Sequence, residues 1–199
     1  MKKRIAYIVL GCILILFIGF YAIVDKNNGI YDKNIDTSQY IAIGLEKGES
    51  IEQTFVSKED ILNAINVKMS VSGQPQDKAV SFELKDDKGD VLVSGNTSLE
   101  KMKTGKFFKF AFEEQSGCKG QKYTFVLKID RCDAGNQVII YTVPNTEKKA
   151  ECIVNGEKVD GVMALRTVTH RFDLETFIVT TVFMIYVILF IKWLAKVFK

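Results

Sequence analysis

Apolar residues follow two different rules along this chain. At the two ends they run unbroken, with no charged residue from Ile5 to Val24 and none from Thr176 to Ile191. Between those runs they alternate with polar residues. Ile65, Val67, Met69 and Val71 point one way and Asn66, Lys68, Ser70 and Ser72 the other, the two-residue period of a strand with one wet face. Val80, Phe82 and Leu84 alternate with Ser81, Glu83 and Lys85, and Asp86-Asp87-Lys88-Gly89 supplies a hairpin turn into Val91-Leu92-Val93. Phe108, Phe110 and Phe112 form another such series, as do Tyr123, Phe125, Leu127 and Ile129. Further strands are expected at Ile51 to Val56, Gln137 to Val143, Glu151 to Val154 and Gly161 to Leu165, with turns at Asp133-Ala134-Gly135-Asn136, Pro144-Asn145 and Asn155-Gly156. One helical turn is expected within Ser57 to Asn63.

Seven to nine short strands with polar turns and hardly any helical period predict an all-β, antiparallel β-sandwich, jelly-roll-like in outline. Its expected core is Ile65, Val67, Phe82, Leu84, Phe110, Tyr123, Phe125 and Leu127. The end runs are different. A membrane-spanning helix needs ~17–25 mostly apolar residues. The first run meets that, and the second does so once Lys192 and Trp193 are counted as its interfacial edge. The expected division is therefore a cytoplasmic start at 1–4, a transmembrane helix at 5–24, a linker at 25–39 and a β-sandwich at 40–170. A second linker at 171–175, a transmembrane helix at 176–194 and a cytoplasmic end at 195–199 complete it.

Charge adds an orientation. Six of the 27 basic residues sit at the tips, as Lys2, Lys3, Arg4, Lys192, Lys196 and Lys199. All 24 acidic residues lie between Asp25 and Glu175, where the other 21 basic residues leave a net charge of −3. Positive flanks stay in the cytoplasm. Both termini are thus expected inside and the central domain outside the cytoplasm. The first run ends in Gly19-Phe20-Tyr21-Ala22-Ile23-Val24 without a small-x-small pair, which favours a retained anchor over a cleaved signal peptide. Within it Gly11, Ile15 and Gly19 share one helical face, and Gly11 and Gly19 are the candidate membrane-helix contact.

The chemistry expected of the domain is binding, not catalysis. His170 is the one histidine and reads as a loop or interfacial residue; hydrolase, metalloprotease and phosphate-loop motifs are missing, as are His/Cys clusters for a metal. No cofactor and no nucleic-acid partner is expected. Asp86-Asp87-Gly89-Asp90 and Glu113-Glu114 fall at expected turns and read as solvated. Cys12 lies in the first apolar run, leaving Cys118, Cys132 and Cys152 outside, an odd number with Cys132–Cys152 as the pairing left open. Tyr40, Phe107 and Tyr141 are aromatics outside the inward sets, and Asn136 and Asn155 are amides that could bond sugar hydroxyls; these five are the candidate ligand-binding residues.

Several of these runs carry a family resemblance. Ile51-Glu52-Gln53-Thr54-Phe55, Ile65-Asn66-Val67, Phe82 to Gly89, Phe110-Ala111-Phe112 and Gly120 to Phe125, closing with Val154-Asn155-Gly156 and Met163-Ala164-Leu165, resemble a jelly-roll-like extracytoplasmic domain. That domain lies between the first two spans of bacterial membrane proteins associated with cell-surface polysaccharide assembly. The present chain ends after its second apolar run, so the glycosyl-transfer membrane core of those proteins is expected to be absent. The resemblance implies a non-catalytic, membrane-anchored accessory protein whose exported sandwich binds surface glycan or docks on a membrane glycosyltransferase or polymerase. Its partners would then be the lipid bilayer and one of these. The alternative expectation is an extracytoplasmic protein-interaction or sensory subunit with no glycan affinity.

Overall fold

The computed structural model describes residues 2–144 and 150–198, and of residues 2–8 and 10 the backbone alone. The expected turn at Pro144-Asn145 therefore runs out of the described residues, as do the side chains of Lys2, Lys3 and Arg4 and the whole of Lys199. Two helices and thirteen strands occur among the described residues: α1 (Lys2–Tyr21), β1 (Ile23–Gly29), β2 (Ile41–Leu45), β3 (Ser50–Val56), β4 (Leu62–Val71), β5 (Ala79–Lys85), β6 (Val91–Ser98), β7 (Lys106–Gln115), β8 (Lys122–Arg131), β9 (Val138–Val143), β10 (Cys152–Val154), β11 (Glu157–Val159), β12 (Val162–Met163), β13 (Leu165–Phe172) and α2 (Leu174–Val197). The chain forms two compact units, one of residues 27–169 and one of residues 1–26 with 170–199.

The larger unit is a β-sandwich-like pair of antiparallel sheets. One sheet has the order β11-β10-β3-β8-β5-β6. In the other, β4 is the axis: β7 pairs along one side of it, while β13 and β9 share the other side. Ala164 sits where those two diverge, its N–H donating to Tyr141 O at 2.8 Å and its carbonyl accepting from Lys68 N at 2.9 Å. β2 then extends the sheet beyond β9.

Cross-strand register explains the core. Phe82 lies opposite Leu127, Leu84 opposite Phe125 and Ile65 opposite Phe110, so each alternating apolar series faces the same interior. Phe82, Phe110 and Phe125 form a triangle of rings with centroids 5.3, 5.6 and 6.2 Å apart, within the spacing aromatic pairs prefer. All eight core residues expected from the pattern are buried. Gln53 shares this interior as a fully buried amide. Its Nε2 donates to Thr54 O and Glu151 O, and its Oε1 accepts from Met163 N–H at 2.8 Å, so the group is satisfied while joining the two sheets.

Two expectations need correction, and the cysteine pairing left open is decided. Asp25 to Ser38 is not a bare polar tether: it contains most of β1, which pairs with β13, and the buried residues Ile30 and Tyr31. Backbone pairing, which needs no apolar period, orders a sequence as polar as Asp25-Lys26-Asn27-Asn28. Ser57 to Asn63 holds no helical turn; Ser57 Oγ donates to Glu59 O at 2.7 Å and the chain bends into β4. Cys132 and Cys152 are free. Cys152 pairs with Gln53, which pairs with Phe125, so Cys132 lies two strands over and seven residues along. At ~4.8 Å per strand and ~3.3 Å per residue the gap far exceeds the ~7 Å limit for a bridge.

The smaller unit holds both helices and the adjoining strand ends. Asp173 caps α2 by accepting from Glu175 N and Thr176 Oγ1, and its own N–H donates to Ala22 O, just past α1, at 2.8 Å. α2 runs 24 residues and is long and apolar enough to cross a membrane, with none of its side chains buried by protein. In α1 the described apolar stretch is Gly11–Tyr21.

Candidate functional site

Tyr40, Phe107 and Tyr141 come together on the outer face of the β4 sheet. Lys68 pairs with Phe107 and Asn66 with Arg166 across the strands, so both cations stand on that face. The segment after β1 lays Tyr31, Ile35 and Tyr40 over it, and these pack with Val143, Ala150, Val162 and Ala164 as a second apolar cluster. The aromatic surfaces are largely taken. Arg166 Cζ sits 3.8 Å over the Phe107 ring and its Nη2 donates to Tyr31 Oη at 3.2 Å. Lys68 Nζ lies 4.1 Å from the Tyr40 centroid and 5.6 Å from that of Tyr141, while Tyr40 meets Tyr141 edge-on at 6.4 Å. Burial, with Tyr31 beside it, pushes the Tyr40 phenol up.

The two amides lie elsewhere. Asn136 is in the turn before β9, at the opposite end of that strand from Tyr141, and its side chain packs on Gly73. Asn155 opens the β10–β11 turn at φ 51°, followed by Gly156 at 84°. Its Oδ1 accepts from Ser50 N at 2.9 Å and its Nδ2 donates to Glu49 at 2.8 Å, so it is used in joining the turn to β3. The structure thus assembles the three aromatics and leaves the amides out. Nor does it show close packing at Gly11 or Gly19: a Cβ on either would meet nothing within 4 Å among the described residues.

One acidic cluster builds a turn and the other does not. Asp86 Oδ1 accepts from the N–H groups of Lys88 and Asp90, both at 2.9 Å, whereas Glu113 and Glu114, expected at a turn, lie within β7, where Glu114 accepts from Asn63 of the neighbouring β4. No group of three His, Cys, Asp or Glu placed to hold a metal occurs among the described residues. His170 Nδ1 lies 2.8 Å from Asp25 Oδ1, on an exposed site.

A cleft that residue-by-residue reading missed lies where the two sheets fail to close. β6 ends one sheet and β7 flanks the other, and neither pairs with a further strand on its outer side among the described residues. Between them is a cavity of about 600 Å³, lined by an unbroken run from Leu92 to Thr97 and another from Lys109 to Glu113. Consecutive strand residues point to opposite faces, so both runs can line one cavity only if the backbone edges face it. Phe82, Phe110 and Phe112 supply an apolar floor. Gly95 is opposite Phe82, whose ring would lie 2.6 Å from a Cβ at Gly95; the glycine lets that ring cover the strand. A second cavity of about 550 Å³ shares Thr97 and Lys109 with the first and continues past the β6–β7 loop. There Leu99 and Met102 are buried and hold the loop down, while Glu100, Lys101 and Lys103 project outward with Lys106. The signal in the sequence was this spacing of Leu99 and Met102 among lysines.

No model of a known protein family and no curated protein matches this chain.

Proposed function

We propose that this is a membrane-anchored, non-catalytic accessory protein whose exported β-sandwich docks on a membrane partner in bacterial cell-surface polysaccharide assembly. The observation that carries docking is the cleft between β6 and β7, a concave site with an apolar floor and open strand edges. The assembly context rests on the resemblance of Ile51 to Leu165 described above. Both helices serve as anchors: α2 has the length and composition of a span, and the Asp173–Ala22 hydrogen bond supports a hairpin returning both termini to one side. Glycan binding is the weaker form of the proposal, because Phe107 is covered by Arg166, and Tyr40 and Tyr141 by Lys68, so a sugar ring would have to displace those cations. A protein-interaction or sensory subunit outside polysaccharide assembly shares the docking surface and differs only in its partner.

The test is a photo-crosslinking amino acid at Thr97, which lines both cavities, irradiated in native membranes and followed by mass spectrometry. A crosslink to a membrane glycosyltransferase or polymerase supports the proposal. Recovery of the protein alone, together with unchanged surface polysaccharide in a deletion strain, ends it.

A further inference from the structure

We infer that the cleft between β6 and β7 accepts an extended polypeptide segment, acidic at the end nearest the β6–β7 loop and apolar along alternate positions, which adds as a strand between the two sheets. The inference rests on the docking reading above and names the kind of partner. Three observations on different residues converge on it. The walls are backbone edges over Leu92 to Thr97 and Lys109 to Glu113, and free edges offer main-chain N–H and C=O groups to another strand. The floor is aromatic, and in a strand every second side chain would point down onto it while the others face water.

Charge then fixes the chemistry of one end. Lys101, Lys103 and Lys106 are exposed, line the continuation of the cleft and have no ion-pair partner among the described residues, against the single carboxylate of Glu100. The far end of the cleft carries Glu113 instead. A segment with its acidic residues at the lysine end meets complementary charge there and avoids Glu113. Proteins usually protect free edges with charge or cover. Here the lysines flank the edges, while the floor between them remains apolar.

The probe is the peptide Ac-Glu-Glu-Val-Ser-Val-Ser-Val-amide carrying a fluorophore, added to the full chain in detergent micelles and read by fluorescence anisotropy. Binding should weaken about tenfold when Lys101, Lys103 and Lys106 are all changed to Glu, or when the two leading acids of the peptide are replaced by lysines. The lysine variant alters only exposed side chains, and its circular dichroism confirms that the strands remain. An N-methylated version of the same peptide, which keeps charge and side chains but loses main-chain donors, should not bind. Equal binding by the N-methylated peptide, or displacement of the peptide by polygalacturonate at matched charge, overturns strand addition in favour of a polyanion site. Absence of any binding also overturns it, while the docking reading is decided separately by the Thr97 crosslink.

Discussion

Phe125 projects inward from β8, a strand paired on both sides, and touches the rings of Phe82 and Phe110. Truncating such a residue removes its transfer energy and leaves a cavity, typically ~3–5 kcal/mol, a large part of the ~5–15 kcal/mol that holds a domain together. Phe125→Ala should therefore lower the urea midpoint of strand circular dichroism sharply in the full chain. A midpoint near that of the unchanged protein would remove Phe125 from the core. Titration gives a second residue-level prediction. Burial pushes the Cys152 thiol up to about 12, and burial, with Cys118 beside it, also raises Tyr123. A group whose folded pKa lies above its unfolded value stabilises fully below the unfolded pKa and loses that contribution as pH rises through the folded one. Stability should thus fall from about pH 9 towards pH 12, measured as a declining urea midpoint, and Cys152 should resist alkylation at pH 8 until the protein unfolds. Phe82, Phe110 and Phe125 were legible from alternation because each has at least one polar sequence neighbour and apolar residues two positions away. Lys78 was not: it is fully buried with Nζ donating to Gln74 O at 2.9 Å, and nothing local distinguishes it from a surface lysine.

The β10–β11 hairpin shows how an element is set by two residues. Asn155 and Gly156 both have positive φ, the arrangement of a two-residue turn whose twist matches its strands. Asn155 additionally ties the turn to Ser50 and Glu49. Asn155→Ala should cost about 1–2 kcal/mol through the left-handed backbone and the lost hydrogen bonds, and Asn155→Gly less, because it relieves the backbone part alone. The two urea midpoints separate these contributions; equal losses would assign the whole effect to hydrogen bonding. At this scale strands with one wet face were readable and others were not. β4 buries Met69 and Ser70 in succession because its outer face is also covered there, with Tyr141 Oη 3.0 Å from Ser70 Oγ, and a covered outer face leaves no mark in a two-residue period. β1 is ordered by backbone pairing, so its polar sequence concealed it. The cleft was hidden for a related reason: whether two edge strands remain apart is a property of sheet order, which alternation does not encode.

For the whole molecule, the clearest consequence is topological. α2 presents Val179, Val182, Phe183, Tyr186 and Leu189 outward with no protein cover, an arrangement that costs heavily in water and suits hydrocarbon. At 1.5 Å per residue its 24 residues extend ~36 Å, enough for a ~30 Å core, and the 20 residues of α1 extend ~30 Å. The N–H of Asp173 bonds the carbonyl of Ala22, so the end of α1 and the start of α2 lie at one level. If both cross, both termini emerge on the same side, and the basic residues near them select the cytoplasm. Protease added to intact spheroplasts should then digest residues 27–169 and spare epitope tags fused at Met1 and Lys199, while detergent lysis exposes both tags. Loss of the Lys199 tag from intact spheroplasts would mean that α2 does not return the chain to the cytoplasm, and loss of the Met1 tag alone would mean the same of α1. Protection of residues 27–169 with loss of both tags would place the sandwich inside and reverse the orientation, a result that would leave the fold untouched but would remove any contact with surface polysaccharide.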